Sequence, residues 1–98
     1  MKQPCVYIIT NKNKTVLYTG VTSNMQQRDY QHKNETYEGF SKRYKCKYLV
    51  YYEVYDDMEN AIIREKQIKG YTRKKKIELV EKLNPDWKDL AIELFGGK

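Results

Sequence analysis

The stretch CVYIITNKNKTVLYTG, residues 5–20, decides the fold class of this chain. Residues 5–10 form an apolar, β-branched run, NKNK at 11–14 supplies turn residues, and TVLYTG at 15–20 is a second β-rich run. This order predicts a β-hairpin. The connection is longer than a two-residue turn, so the sequence leaves the pairing register of the two strands open.

A helix is expected directly after the hairpin. SNMQ at 23–26 has the spacing of a capping box in which Ser23 is the N-cap, and the helix should run over about residues 24–33. Arg28 and His32 are four residues apart within it, so they share one helix face.

The central part of the chain contains a loop and a third strand. NETYEGFSKRYKCK, residues 34–47, is polar and basic and contains glycine, which predicts a loop. YLVYYEVY, residues 48–55, is dense in tyrosine and valine and predicts a strand.

DDMENAIIREKQIKG, residues 56–70, has the signals of a complete helix. Asp56 and Glu59 have capping-box spacing, and Gly70 stands where a C-terminal cap belongs. Glu65 falls in the middle of the apolar stripe of this helix. A carboxylate on a buried face is unfavourable unless it is paired or bound to a metal, so a metal ligand and a structural salt bridge are both open here.

Two further helices are expected at the end of the chain. YTRKKKIELVEKLNP, residues 71–85, predicts a helix that is capped by Thr72 and ends before Pro85. Four apolar positions then have the i, i+3, i+4, i+7 spacing of a short helix: Trp87, Leu90, Ala91 and Leu94. The order β-β-α-β-α-α, with one more short α, indicates an α/β (α+β) domain with a small, mainly antiparallel sheet flanked by helices.

Length and composition set the broad class. Ninety-eight residues, 40% of them apolar, are expected to form one domain over 1–98 with its core at about 5–91. No apolar run approaches the roughly 18 residues of a membrane helix, and the first ten residues lack the apolar stretch of a signal peptide. We therefore expect a cytoplasmic monomer without membrane contact. Cys5 and Cys46 are expected to be reduced thiols.

A net charge of +6 favours a polyanionic partner. The charge is concentrated in two basic runs, SKRYKCK at 41–47 and KGYTRKKK at 69–76, in which tyrosines are interspersed. Cations on phosphates and rings on unpaired bases suit a nucleic acid, although either run alone could equally be a solvated surface. The candidate nucleic-acid-binding residues are Lys42, Arg43, Lys45, Lys47, Lys69, Arg73, Lys74, Lys75 and Lys76.

Five residues remain as candidates for chemistry. One histidine and two distant cysteines cannot form a structural zinc site, and the chain has neither a Gly-rich phosphate loop nor a G-x-S-x-G motif. Arg28 offers a planar cation for phosphate oxygens, and Glu65 offers a hard oxygen ligand for Mg²⁺. Tyr7, Tyr18 or His32 could move a proton. Taken singly, each of the five also fits an ordinary structural role.

As a set, these residues resemble the GIY-YIG nuclease domain, most closely the small stand-alone bacterial members of that family. The resemblance covers about residues 6–90. CVY at 5–7 is similar to the first family motif, and YTG at 18–20 is similar to the second. Asn84 is the nearest candidate for an asparagine that the family carries after its glutamate.

The resemblance implies a three-stranded antiparallel sheet and hydrolysis of a DNA phosphodiester at one divalent ion, Mg²⁺ or Mn²⁺. Glu65 stands at the position of the family's metal-binding glutamate, Arg28 at its catalytic arginine, and His32 at a histidine that many members use. Tyr7 and Tyr18 would position or deprotonate the water. Which group is the base stays open, and we favour Tyr18.

Our leading hypothesis is a metal-dependent DNA endonuclease acting in repair or processing of branched, damaged or single-stranded DNA. The alternative is a nucleic-acid-binding or accessory module with weak or lost activity, and a third reading is a purely structural basic domain. Family members usually join this module to a separate DNA-binding domain. Because the resemblance covers the nuclease module alone, we expect recognition of DNA to depend on the two basic runs or on a partner protein.

Overall fold

The structure, a computed structural model, describes residues 3–35 and 40–96 as a three-stranded sheet with helices on both faces. The strands are β1 (Cys5–Thr10), β2 (Leu17–Thr22) and β3 (Tyr48–Val54). Their order is β2-β1-β3, and both pairings are antiparallel. The predicted sheet is therefore confirmed, with β1 in the centre.

The helices follow in the predicted order. A short helix, α2, lies within the stretch predicted as a loop, of which residues 36–39 are outside the described residues. None of the helices described is long and apolar enough to cross a bilayer. The bounds are α1 (Met25–Lys33), α2 (Phe40–Arg43), α3 (Met58–Lys69), α4 (Arg73–Leu83) and α5 (Leu90–Phe95).

The hairpin register, which the sequence left open, depends on the side chain of Asn11. Its Oδ1 accepts the backbone N–H groups of Thr15 at 2.9 Å and Val16 at 3.1 Å. These amides are thereby withdrawn from the ladder, so β2 begins at Leu17 rather than at residue 15. The resulting register places Gly20 directly opposite Tyr7.

The central strand separates two packing layers. Cys5, Tyr7 and Ile9 face a layer that includes residues of α1 and α5. Val6 and Ile8 face a second layer, which includes residues of α3 and α4. Every residue of β1 is buried. A side chain of β1 can therefore contact a substrate only if it extends beyond the neighbouring strands.

Two helices have their N-cap one residue later than the sequence spacing predicts. Asn24, not Ser23, caps α1, and Asp57, not Asp56, caps α3. Neighbouring residues that both favour the N-cap position cannot be told apart by spacing. The predicted cap at Thr72 is confirmed.

The C-terminal helix is shorter than predicted. It begins at Leu90 after an N-cap at Asp89, so Trp87 lies in the preceding turn and not in the helix. Trp87 has a φ of 55°, which is incompatible with a right-handed helix.

The two cysteines are free thiols in the core, as predicted. Burial raises the pKa of Cys5 to about 12 and that of Cys46 to about 11. Both therefore remain protonated at neutral pH and serve as small apolar side chains.

Candidate active site

The candidate site is centred on the phenol of Tyr7, whose ring extends from the central strand β1 over the edge strand β2. Its ring lies over Gly20 of β2, and a Cβ atom at position 20 would lie only 2.5 Å from Tyr7 Cζ. Glycine is therefore required opposite Tyr7, because any side chain there would overlap the ring. Through this gap the phenol reaches from the buried central strand to the edge strand.

Helix α1 brings two side chains to the phenol oxygen. His32 Nε2 lies 3.2 Å from Tyr7 Oη, and Arg28 Nη1 donates to the same oxygen at 3.5 Å. The Tyr18 ring lies edge-on to the imidazole, with 6.3 Å between the ring centroids. The structure thus brings together four of the five candidates, and we call Tyr7, Tyr18, Arg28 and His32 the Tyr7 group.

The electrostatics of the Tyr7 group favour a neutral imidazole. His32 is 3% exposed, and burial, followed by the charges of Arg28 and Lys33, lowers its pKa to about 4. In the tautomer that carries its proton on Nε2, the neutral imidazole can donate to Tyr7 Oη and favour the ionised form of the phenol. The Arg28 cation would then stabilise negative charge left on Tyr7 Oη.

Glu65 is on α3, whose apolar residues Ala61 and Ile68 pack in the second layer. Together with Ala61 and Ile68 it forms the buried face of α3, as its place in the apolar stripe predicts. Its side chain is 12% exposed, and Oε2 lies 2.6 Å from Lys69 Nζ. The carboxylate is therefore at a rim and not sealed in the core, and its ion pair is with Lys69 rather than with the Tyr7 group.

Asn84 is also apart from the Tyr7 group. Its side-chain amide donates to the carbonyl oxygens of Val50 at 3.1 Å and Lys88 at 2.8 Å, and its Oδ1 accepts from Lys88 N–H at 3.0 Å. These bonds fasten the turn after α4 to the central part of β3. The contacts of Asn84 are thus those of a structural residue.

A family model described as "GIY-YIG catalytic domain" matches residues 3–78, which include the Tyr7 group and Glu65. The chain belongs to the GIY-YIG family. It is 36% identical over 87 residues to a UPF0213 protein of Syntrophus aciditrophicus, covering 88% of this chain and 98% of the relative. It is 32% identical over 80 residues to a UPF0213 protein of Staphylococcus saprophyticus, covering 82% and 96%.

A solved structure has the same fold as this GIY-YIG domain. The solution NMR structure of a UPF0213 protein from Bacillus halodurans superposes with a TM-score of 0.57, at 22% identity, over 98% of this chain and 99% of that one. At this level of identity the similarity extends to the fold alone.

The helix of the GIY-YIG domain that carries Arg28 and His32 is held by an ion-pair cluster that the sequence did not reveal. Lys33 Nζ lies 2.7 Å from Asp29 Oδ1 and 3.1 Å from Asp89 Oδ2. Asp89 Oδ1 in turn accepts the backbone N–H groups of Leu49 and Ala91, each at 3.1 Å. Only the i, i+4 spacing of Asp29 and Lys33 was visible in the sequence. The cluster ties α1 to both β3 and α5.

Glu65 supplies one of the oxygen ligands that a divalent ion needs. Within residues 3–35 and 40–96, no three His, Cys, Asp or Glu side chains are grouped closely enough to hold a metal. Mg²⁺ is commonly held by one or two carboxylates together with phosphates and water, so one carboxylate fits it. On the α3 side of β2, the buried Thr19 hydroxyl also lacks a partner among these residues. A metal ion at Glu65 would have to compete with Lys69.

The first basic run surrounds α2. Lys42, Arg43 and Lys45 are exposed, and the Arg43 guanidinium lies 5.6 Å from the centroid of the Tyr44 ring. Lys47 is half-buried, and its Nζ is 2.8 Å from a carboxylate oxygen of Glu35.

The second basic run surrounds the start of α4. Arg73, Lys74 and Lys75 are exposed, and Lys75 Nζ lies 4.2 Å from the centroid of the Tyr71 ring. Lys76 is half-buried, and this burial lowers its pKa. Lys69, at the end of α3, is half-exposed beside Glu65. Most cations of both runs are thus accessible to a polyanion.

Proposed function

We propose that this GIY-YIG domain is a metal-dependent DNA endonuclease that hydrolyses phosphodiester bonds with one Mg²⁺ or Mn²⁺ ion. The observation that carries the proposal is the contact set of Tyr7 Oη, which lies between a neutral imidazole and a guanidinium. Family membership supports nuclease chemistry, and the +6 net charge supports a nucleic-acid substrate.

In this proposal Tyr7 is the general base. Arg28 and the Nε2–H group of neutral His32 donate to Tyr7 Oη and stabilise its phenolate, which takes a proton from the attacking water, and Arg28 also stabilises the negative charge that develops on the phosphate. The contacts of Tyr7 Oη with both His32 and Arg28 support this choice. Tyr18 then orients the imidazole.

Glu65 would hold the divalent ion. When bound, the ion supplies Lewis-acid stabilisation of the phosphate and of the leaving oxygen. The basic runs, or a partner protein, would bring the DNA to the site, and a cytoplasmic monomer acting in DNA repair or processing fits such an activity.

A nucleic-acid-binding module without activity is the second candidate. It is favoured by one observation, the Lys69–Glu65 ion pair, which neutralises the only carboxylate proposed for the metal. In that case the domain would bind DNA with the same basic runs and leave it intact.

A nicking assay separates the two candidates. Supercoiled plasmid, single-stranded and branched DNA are incubated with the protein in Mg²⁺ or Mn²⁺. We expect cutting by the unaltered chain and loss of cutting in Tyr7→Phe and Glu65→Gln, with DNA binding retained.

Matched control variants are available on the same helices. Tyr30→Phe on α1 and Glu59→Gln on α3 change exposed side chains and should cut like the unaltered chain. Equal residual cutting by Tyr7→Phe would identify a contaminating nuclease and contradict the proposal. Binding without cutting in both metals would favour the second candidate.

A further inference from the structure

A cleft lies at the hairpin end of the sheet, and the Tyr7 group does not line it. Its volume is about 230 Å³, and its lining combines two aromatic rings with two lysines. The lining residues are Thr10, Asn11, Lys12, Lys14, Tyr48 and Trp87. Neither the hairpin lysines nor Trp87 was among the functional residues indicated by the sequence.

The two rings are held in place by different means. Tyr48 begins β3, is paired with Thr10 of β1, and is 38% exposed. Trp87 packs against the α3–α4 layer, and its indole Nε1 donates to Glu81 Oε2 at 3.0 Å. Its left-handed φ of 55° is unusual for a bulky residue and persists only where neighbours enforce it. Here the Asn84 carbonyl oxygen accepts the Trp87 N–H at 3.0 Å.

The lysines of the cleft stand on an ordered hairpin tip. Asn11 Oδ1 binds two backbone amides, its Nδ2 donates to the Thr15 hydroxyl at 2.8 Å, and its carbonyl accepts the Lys14 N–H at 3.0 Å. Lys12 and Lys14 are exposed. The tip therefore presents its two cations without first having to become ordered, which lowers the entropic penalty of binding.

The hairpin also joins the two basic runs. On one side the Lys47 N–H donates to the Thr10 carbonyl at 3.1 Å, and on the other Arg73 Nη2 donates to the Lys14 carbonyl at 3.2 Å. Lys12 and Lys14 thus lie between residues 41–47 and 69–76. The cleft therefore lies at the hairpin that both basic runs contact.

We propose that this cleft binds an unpaired nucleotide of the DNA, with the base against Tyr48 and Trp87 and its phosphates on Lys12 and Lys14. Bases in a duplex are stacked on each other, so only an unpaired base can offer its face to these rings. This inference rests on the proposed function and names the substrate class as DNA with a single-stranded segment.

Trp87 is the single tryptophan of the chain and reports directly on the cleft. The full chain is titrated with single-stranded oligo(dT) in EDTA, so that no cutting takes place, while anisotropy of a labelled oligonucleotide measures binding. We expect Trp87 fluorescence to be quenched in step with binding, and a duplex of the same length to bind more weakly without that quenching.

Substitution of Tyr48 tests the stacking contact. Because Tyr48→Leu removes a base–aromatic stacking contact, it should weaken single-strand binding about tenfold and leave duplex binding unchanged. Tyr48→Phe should retain the affinity, and Tyr30→Leu, on the exposed face of α1, serves as the control. Circular dichroism confirms the fold of each variant.

The inference is overturned if Trp87 emission stays constant at saturating oligo(dT), if no single-strand binding is found, or if Tyr48→Leu affects single strand and duplex equally. Tighter binding of oligo(rU) than of oligo(dT) would overturn the assignment to DNA. Quenching that persists in a protein unable to nick DNA would leave the cleft in place and contradict only the proposed nuclease.

Discussion

The Tyr7 group and a second cluster both combine arginine with tyrosine, and they are built differently. In the cluster that we call the Arg64 network, Arg64 forms a two-fold pair with Glu53, from Nε to Oε1 at 2.9 Å and from Nη2 to Oε2 at 3.0 Å. Its Nη1 donates to Tyr71 Oη at 3.1 Å. The hydroxyls of Tyr51 and Tyr55 donate to the same carboxylate.

The Tyr7 group pairs its phenol with a neutral imidazole where the Arg64 network has a carboxylate. Arg28 approaches Tyr7 Oη to 3.5 Å, and His32 is uncharged at neutral pH because its pKa is lowered to about 4. The Tyr7 group therefore carries a net positive charge. An anionic phosphate would be attracted to it.

In the Arg64 network the charges cancel. Burial acts to raise the pKa of Glu53, but hydrogen bonds from Arg64, Tyr51 and Tyr55 outweigh it and hold that pKa below its usual value. The carboxylate stays ionised against its arginine. In the Arg64 network a carboxylate thus joins arginine and tyrosine in a structural clamp, whereas in the Tyr7 group a neutral histidine lies beside them.

The largest expected effect comes from removing the cation of the Tyr7 group. Arg28→Ala should slow plasmid nicking about 100- to 1,000-fold, the usual loss on removing one donor that stabilises developing charge. Its melting temperature should stay close to that of the unaltered chain. Arg64→Ala should instead lower the melting temperature and leave the nicking rate per folded molecule unchanged. Nicking rates and melting temperatures of the two variants check this. Similar rates would erase the distinction between the clusters.

The pH dependence of stability tests the state of His32. Its folded pKa of about 4 lies below the unfolded value of 6.5, so between these values the unfolded chain binds a proton that the folded chain does not. Stability should therefore be complete above pH 6.5 and fall as the pH is lowered towards 4, by roughly 3 kcal/mol at most.

The variant His32→Gln, which cannot titrate, is the reference for this measurement. Urea unfolding of both proteins between pH 4 and 7 should give a smaller slope for the variant, while the opposing contribution of Asp29, whose pKa is raised by burial, is common to both. Parallel curves would mean that the imidazole takes up its proton as readily in the folded chain as in the unfolded chain, which contradicts a lowered pKa.

Breaking the Arg64 network should destabilise the fold without affecting chemistry. Arg64→Met leaves Glu53 without its cation, and we expect the free energy of unfolding to fall by about 2 kcal/mol, below the ~3–5 kcal/mol of fully buried pairs. The two side chains are 23% and 20% exposed, which moderates the loss. Chemical denaturation measures it, with Lys66→Met on the exposed face of α3 as the control. An unchanged midpoint would show that the clamp is not needed.

The smallest expected effect distinguishes two tyrosines. Tyr55→Phe removes one hydrogen bond to Glu53 and should lower the free energy of unfolding by about 1 kcal/mol while cutting continues. Tyr7→Phe should abolish cutting instead. If Tyr55→Phe reduced cutting as strongly, the Arg64 network would have to be considered part of the site.

Sequence reasoning predicted the features that depend on local spacing. The bounds of β1 follow from its apolar run, and Arg28 and His32 share a helix face because they are four residues apart. Glu65 was correctly placed on a buried face. Its partner, Lys69, is also four residues away, but spacing did not decide between an ion pair and a metal ligand.

Features that join distant elements could not be predicted in this way. Nothing near Arg64 in the sequence indicates that Glu53 of β3 lies beside it, and the pairing of Asp29 and Lys33 with Asp89 depends on how α1 meets α5. Trp87 was assigned to a helix because its spacing fits one. The bonds of Asn84 instead hold it in a turn, and these contacts exist only in the folded chain.

Gly20 and Tyr7 are paired on neighbouring strands, and the Tyr7 ring occupies the space that a side chain at position 20 would need. A methyl group at position 20 and a phenol at position 7 cannot occupy the same space, so either residue constrains the choice of the other. Gly20→Ala alone should lower the stability of the fold. In the double variant Gly20→Ala with Tyr7→Ala the overlap is gone, so the second substitution should compensate for the first. A relative with a larger residue in place of this glycine would be expected to lack the tyrosine ring as well, so the two positions together report whether the Tyr7 group is intact.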